Sequence, residues 1–298
     1  MANRQFYSPL RYPGGKAKLI SFMKLFYESN DLMGNTYIEP YTGGGAVALS
    51  LLIDGYAENI IINDYDRSIF AFWHSVLNNT DELCRLISDT PINTKTWKKL
   101  KKLQAQKQSA DLLELGFSTL YLNRTNRSGI IKAGLIGGIE QNGEWKMDVR
   151  FNKSDLIERI KNVAKYKSRI SLYNLDTIEL IDLLNNNDRF DNSFTYFDPP
   201  YYSKGKELYV NFYNHQDHVD LFNKINSLNN INWLLSYDNN PEIIDLYSDY
   251  KKITYNLTYS VEKKYQGSEV IIYSDDLTLP MKKNTLKNIQ RLKRKLIA

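Results

Sequence analysis

The 298-residue chain holds one cysteine and three histidines, and no apolar run approaches the ~18 residues that span a bilayer. A lone cysteine excludes an internal disulfide and any cysteine-based zinc site. Within Asp81-Glu82-Leu83-Cys84-Arg85-Leu86 it reads as a helix core residue. His215 and His218 share a helical face, but nothing nearby completes a ligand set. They read as solvated or capping, and no metal site is expected. No basic-then-apolar leader opens the chain, so the expectation is a soluble, cytoplasmic protein. The Gly43-Gly44-Gly45 run does not extend to G-x-G-x-x-G and no Walker lysine follows it, which disfavours a phosphate cradle.

Acidic residues are missing from the last 20 positions, which carry Lys282, Lys283, Lys287, Arg291, Lys293, Arg294 and Lys295. Those seven cations exceed the net charge of +5, so the remainder is slightly acidic and the basicity is local. A second cluster is Lys95, Lys98, Lys99, Lys101, Lys102 and Lys107. Basic runs on a near-neutral body suit a polyanion footprint, although solvated helix faces carry the same pattern.

Strand and helix patterns alternate in three blocks. The first has strands at Thr36–Glu39 and Asn59–Ile62, a helix from Ala46 to Asp54 between them, and a helix from Ser68 to Leu77 after them. The second has a strand at Arg169–Tyr173, a helix at Ile178–Leu184 and a strand ending at Asp198. The third has a helix at His215–Leu228, a strand at Trp233–Ser236, a short helix near Pro241, and late strands around Lys251–Leu257 and Glu269–Tyr273. Alternation of this kind predicts an α/β fold with a mostly parallel, doubly wound sheet, the last two strands antiparallel. Residues 79–167 break the pattern and read as an insertion of helices plus a glycine-rich hairpin or loop from Gly129 to Gly143, interspersed with Arg124, Arg127, Lys132, Lys146, Arg150 and Lys153.

Asp198-Pro199-Pro200-Tyr201 follows the apolar run Ser193–Phe197, which places an acid, a rigid turn and an aromatic ring at the carboxyl edge of a strand. Ligands bind at that edge in open α/β sheets. For an exocyclic amine on a flipped-out base, Asp198 can accept a hydrogen bond, the Pro199 carbonyl can accept a second, and Tyr201 can stack on the ring. The same residues also read as a strand ending in a Pro-Pro turn with a buried tyrosine. In the first half, Glu39-Pro40-Tyr41-Thr42-Gly43-Gly44-Gly45 forms a strand-to-helix turn that a ligand can approach closely. Asp64 ends the next strand, placed to accept from ribose hydroxyls. A ribose site without a phosphate cradle points to S-adenosylmethionine rather than a dinucleotide. Near the start, Gly14-Gly15 permits a bend that turns Tyr12 and Lys16 toward one pocket.

In this order, Tyr12-Pro13-Gly14-Gly15-Lys16, the glycine turn, Asp64, Asn123-Arg124, Asp176 and Asp198-Pro199-Pro200-Tyr201 resemble the Dam-like family of DNA adenine-N6 methyltransferases, and so does the late Glu269–Ile272 strand. The resemblance implies a seven-stranded methyltransferase domain (1–78 and 168–278), a target-recognition insertion (79–167) and a basic tail (279–298). It implies S-adenosylmethionine as donor with no metal, bound by Tyr12, Lys16, Asp64 and Asp198 with Gly43 to Gly45 closing around it and Asp176 near the donor's adenine. It further implies double-stranded DNA as substrate, a separately acting restriction endonuclease as a possible partner, and a bacterial, archaeal or phage origin. Arg124, Arg127 and Lys132 are the expected DNA contacts, an arginine reading guanine bidentately or touching phosphate. The segment Asn123–Gly129 departs from the aromatic-rich sequence of the GATC-specific members, which puts GATC specificity in doubt. Methylation of cytosine N4 or of RNA, a catalytically silent DNA-binding protein and a dinucleotide oxidoreductase are the competing readings. If only the ring face of Tyr201 is used, Tyr201→Phe is expected to be mild.

Overall fold

The computed structural model describes residues 7–11, 19–203, 213–260 and 264–280. Among these, seven strands form one sheet in the order β3-β2-β1-β4-β5-β7-β6. They are β1 (Tyr37–Glu39), β2 (Ile60–Asn63), β3 (Ile170–Tyr173), β4 (Phe194–Phe197), β5 (Asn232–Asp238), β6 (Lys251–Ser260) and β7 (Lys264–Tyr273). Strands β1 to β5 pair in parallel. Strand β7 runs antiparallel to β5 and β6, as the short polar link between the late strands suggested.

The central strands are buried along their whole length and mostly apolar, because both faces of the sheet are covered. Alternate residues serve opposite sides. Tyr37, Ile60, Ile62, Phe194, Tyr196, Leu234 and Ile271 enter one core. Ile38 and Ile61, and Phe197, Trp233, Leu235, Val270 and Ile272, enter the clusters on the other face. The flanking helices are α1 (Ile20–Ser29), α2 (Ala46–Ile53), α3 (Arg67–Asn78), α8 (Thr177–Asn185), α9 (His215–Ile225) and α10 (Pro241–Leu246). Asp66 caps α3, and Asp176 and Asn214 build capping boxes at α8 and α9, satisfying backbone N–H groups that the first turn leaves open.

The insertion contributes α4 (Thr80–Asp89), α5 (Thr94–Ala105), α6 (Leu112–Thr125) and α7 (Lys153–Ala164). It shares the core of the sheet through α3: Phe72, Trp73 and Val76 belong to one cluster with Leu83, Leu120, Tyr121 and Ile160. Cys84 is buried on α4, as its helix-core reading required. Among the described residues, no helix is long and apolar enough to cross a membrane.

One open reading is decided and one local expectation needs correction. Of hairpin or loop, the stretch Gly129–Gly143 forms the loop. Its pairing is a lone bridge between Asn126 and Leu135, with a 3-10 turn at Arg127–Gly129 and further turns beyond. Side-chain amides take the backbone groups a ladder would use. Asn126 Nδ2 donates to the Ile130 and Ile131 carbonyls at 3.1 and 2.9 Å, and Gln141 Nε2 to those of Ile136 and Gly138 at 2.8 and 2.6 Å. His218 is not solvated. It is 1% exposed, its Nδ1 lies 2.8 Å from the Tyr237 hydroxyl, and burial pushes its pKa down to about 4. His215 is exposed, 3.0 Å from the Tyr202 hydroxyl.

Helices α3 and α6 meet at Gly116, where an added Cβ would overlap the Ala71 carbonyl and the Ser75 hydroxyl. Alanine would gain up to ~1 kcal/mol of helix propensity. Overpacking at a rigid backbone contact costs ~1–3 kcal/mol and should win. Gly116→Ala is therefore expected to lower the midpoint of urea unfolding; an unchanged or raised midpoint would mean that the helices move apart freely.

Candidate active site

Chain order along the sheet reverses between β1 and β4, so the loops that leave these neighbours diverge and open a crevice at their carboxyl ends. On the β1 side, Gly43 and Gly45 adopt φ of 47° and 59°, a region other residues enter only with strain. The turn is pinned from several directions. Trp73 Nε1 donates to the Gly43 carbonyl at 3.0 Å, the Gly45 amide donates to the Thr42 carbonyl at 2.8 Å, and a Cβ at Gly45 would press on the Trp73 ring at 3.1 Å.

Asp64, just past β2, accepts from the amides of Gly43 at 2.8 Å and Asp66 at 2.9 Å. It thereby joins the glycine turn to the end of the adjacent strand. Burial, and then the neighbouring Asp66, raise its carboxyl to about 7, against the lowering pull of those two amides and of Lys107. Lys107 itself pairs with Asp66 at 2.6 Å. Glu39, at the end of β1, is 5% exposed and accepts from the Ala48 amide at 3.3 Å. Burial, followed by the nearby Asp198 and Asp64 charges, pushes its pKa well above the usual carboxylate range. Asp176 caps α8 at the same edge of the sheet, and the Tyr65 ring beside Asp64 is 59% exposed.

On the β4 side, Asp198 Oδ1 accepts from Ser236 Oγ at 2.8 Å, and that hydroxyl lies 2.8 Å from the Tyr196 hydroxyl. Pro199 and Pro200 are buried. Tyr201 is 4% exposed and its hydroxyl donates to Glu269, which also accepts from Tyr255. Asp238 accepts from the amides of Tyr202 and Ser203 at 2.9 and 3.0 Å. The hydroxyl of Tyr201 is thus engaged, which revises the expectation that its loss would be mild. Tyr12 and Lys16 lie outside the described residues, as do the cations of the basic tail. Among the described residues, no three His, Cys, Asp or Glu side chains are grouped to hold a metal.

The model of the D12 class N6 adenine-specific DNA methyltransferases matches residues 12–265. The chain belongs to this family. It is 25% identical over 226 residues to the Type II methyltransferase M.MjaIII of Methanocaldococcus jannaschii, a match covering 71% of this chain and 74% of that protein. Among solved structures, PH1948 of Pyrococcus horikoshii, provisionally described as an RNA methyltransferase, aligns with a TM-score of 0.41 and 13% identity over 91% of this chain and 87% of that one. The rRNA methyltransferase aviRa of Streptomyces viridochromogenes aligns with a TM-score of 0.37 and 11% identity over 89% of this chain and 87% of that one.

Within this adenine-specific DNA methyltransferase, the expected DNA contacts separate into two kinds. Arg127 and Lys132 are exposed. Arg127 borders a hollow with Ile136, Gly137, Gly143 and Trp145, and the Trp145 ring is 61% exposed. Arg124 departs from expectation. It is 9% exposed, its Nε and Nη2 both donate to the Pro9 carbonyl, and burial lowers its pKa to about 10. Asn123 makes a similar tie, accepting from the Arg11 amide at 2.8 Å and donating to the Arg11 carbonyl at 2.6 Å. Asn123-Arg124 therefore fastens the chain just ahead of Tyr12 to the insertion. On α5, Lys101 donates to the Ile131 and Ala133 carbonyls at 2.8 and 3.2 Å. Lys95, Lys98, Lys99 and Lys102, at helical spacing on one face, are exposed.

Glu39, Tyr65, Ser236, Asp238 and Glu269 escaped the sequence reading. Glu39 opens the glycine motif, and Ser236 and Asp238 end a strand beside the Asp198 strand, so their positions carried a weak signal. Removing Arg124 leaves a buried carbonyl without its donor, a loss of ~1–3 kcal/mol. Arg124→Ala is expected to lower the thermal midpoint without changing the methylated sequence; an altered methylation motif in a stably folded variant would return this residue to base reading.

Proposed function

We propose that this DNA methyltransferase binds double-stranded DNA at a short specific sequence, flips an adenine out of the stack and methylates its N6 amine by direct in-line transfer. The observation that carries the reading is the convergence of Glu39, Asp64 and Asp198 at the reversal between β1 and β4, beside a glycine turn that is not a phosphate cradle. A cationic ligand favours the charged forms of the raised Glu39 and Asp64 carboxyls, and a polyphosphate opposes them. When bound, S-adenosylmethionine supplies a methyl group activated on a positively charged sulfonium. The proposed holding residues are Gly43, Gly45, Asp64, Asp176 and Asp198, joined by Tyr12 and Lys16.

At the reacting end, Asp198 accepts a hydrogen bond from one N6 proton and the Pro199 carbonyl accepts one from the other. Together they draw the amine lone pair out of conjugation with the ring and aim it. Ser236 holds the carboxylate plane by donating to Oδ1. Positioning of this kind supplies much of the acceleration when two substrates must meet in line. Extrusion of the base costs a few kcal/mol. Stacking on Tyr201 offsets ~1–3 kcal/mol of that cost. Arg127 and Lys132 face the duplex from the insertion, with the exposed lysine face of α5 and the basic tail along its phosphates. A Type II setting, as in the name of the M. jannaschii relative, makes a separately acting restriction endonuclease of the same sequence preference the expected companion.

The deciding experiment is long-read sequencing with base-modification detection, on DNA from a methylation-deficient bacterial host expressing the chain. N6-methyladenine at one short motif, abolished by Asp198→Ala, is the expected result. Modified cytosine instead, or methyladenine that persists in Asp198→Ala, would overturn the assignment. Binding separates the two classes of cation. Replacing Lys95, Lys98, Lys99 and Lys102 together by alanine should flatten the plot of log affinity against log salt, by up to ~0.9 for each phosphate no longer neutralised. Arg127→Ala should relax the methylated motif while leaving most of that slope. An unchanged slope in the lysine variant would remove α5 from the DNA path.

A further inference from the structure

Asp238 and Glu269 stand directly opposite each other on the antiparallel strands β5 and β7, and Tyr255 on β6 stands opposite Glu269. Directly opposed residues project to the same face, where two like charges are destabilising. Glu269 is moreover 1% exposed. Fold stability alone does not select paired acids at such a place. Both are engaged with the same short segment. Asp238 takes the amides of Tyr202 and Ser203, and Glu269 takes the hydroxyl of Tyr201. The second oxygen of Glu269 takes the Tyr255 hydroxyl, which orients the carboxylate from the far side.

We infer that Glu269 is a positioning residue for methyl transfer, acting through the Tyr201 hydroxyl to set the plane of the ring against which the extruded adenine lies. The inference rests on the proposed stacking role of Tyr201. A tyrosine ring pivots about two side-chain bonds, and a hydrogen bond at its far end removes that freedom where backbone anchoring cannot. Asp238 fixes the backbone of the following residues and Ser236 the Asp198 carboxylate, so the motif is held at three points by β5 and β7. A ring free to tilt would still cover the base but would hold the amine off line, so the loss should fall on turnover rather than on affinity.

The test compares Glu269→Gln, Tyr255→Phe, Tyr201→Phe and the double variant Tyr201→Phe/Glu269→Gln in the full chain. Steady-state methylation of an oligonucleotide duplex is measured, with S-adenosylmethionine affinity by calorimetry and the thermal midpoint as a control. Glu269→Gln should lower kcat about ten- to a hundredfold, the scale of a misplaced reacting group, with KM for DNA and donor affinity within about twofold of wild type. Tyr255→Phe should show a smaller loss of the same kind. The double variant should fall no further than Tyr201→Phe alone, because Glu269→Gln weakens the same link that Tyr201→Phe removes. Full additivity, or a Glu269→Gln loss confined to the thermal midpoint, would overturn the inference. Tyr201→Ala separates the two levels. If it leaves kcat intact, the stacking role itself fails. If it lowers kcat while Glu269→Gln and Tyr255→Phe do not, stacking survives and the positioning role alone is lost.

Discussion

The parallel pairing of β1 with β4, Tyr37 opposite Phe194 and Ile38 opposite Thr195, is the constraint on which the rest of the molecule depends. It joins the β3-β2-β1 side of the sheet to the β4-β5-β7-β6 side. Buried aromatic contacts secure it: Phe26 and Tyr27 of α1 lie 5.5 and 5.6 Å from the Phe194 ring, and Tyr37 lies 6.1 Å from it. The strand order reverses at this pairing, so the loops that follow it part instead of crossing. Glu39 and Asp198 consequently stand at the carboxyl ends of neighbouring strands, close enough for the Asp198 charge to act on Glu39.

The electrostatics of that crevice run against stability. Burial and mutual repulsion raise Glu39, while Asp64 is raised to about 7 despite two backbone amides donating to it. Groups perturbed in this way cluster at functional sites, because a fold under no other demand would replace them with apolar residues. A neighbouring cation would favour the charged form of each of these groups. Asp238 and Glu269 are a second pair of acids, directly opposed across β5 and β7. Both accept hydrogen bonds from the Tyr201–Ser203 segment, so the last strands of the sheet also brace the chain that follows β4.

Cations in the insertion divide between structure and surface. Arg124 and Lys101 donate to backbone carbonyls, holding the entry of the chain and the loop after α6. Burying a guanidinium is costly unless its donors are met, and the Pro9 carbonyl meets two of them. Arg127, Lys132 and the outer lysines of α5 remain exposed on the elements that Arg124 and Lys101 hold in place. The insertion is not a loosely tethered module, since its helices complete the core that begins on α3.

Apolar periodicity by itself determined the alternating strands and helices, the parallel sheet with an antiparallel end, and the boundaries of most elements to within a few residues. Motif chemistry also placed Asp64, Asp198 and the glycine turn at one sheet edge. These features are local: a strand buried on both faces must be apolar, and a tight turn must carry glycine. Tertiary structure decided the partners. Arg124 carries the same charge as Arg127, and its burial follows from the Pro9 carbonyl, which is remote in sequence. The stretch from Gly129 to Gly143 left hairpin and loop both open, because turn residues signal reversal without saying whether backbone or side chains will take up the amides. Glu269 gave no sign of its contacts, since what it touches is set by the register of β5, β6 and β7 rather than by its neighbours in the chain. Periodicity reports which side of an element is covered; only the packed fold fixes which atom covers it.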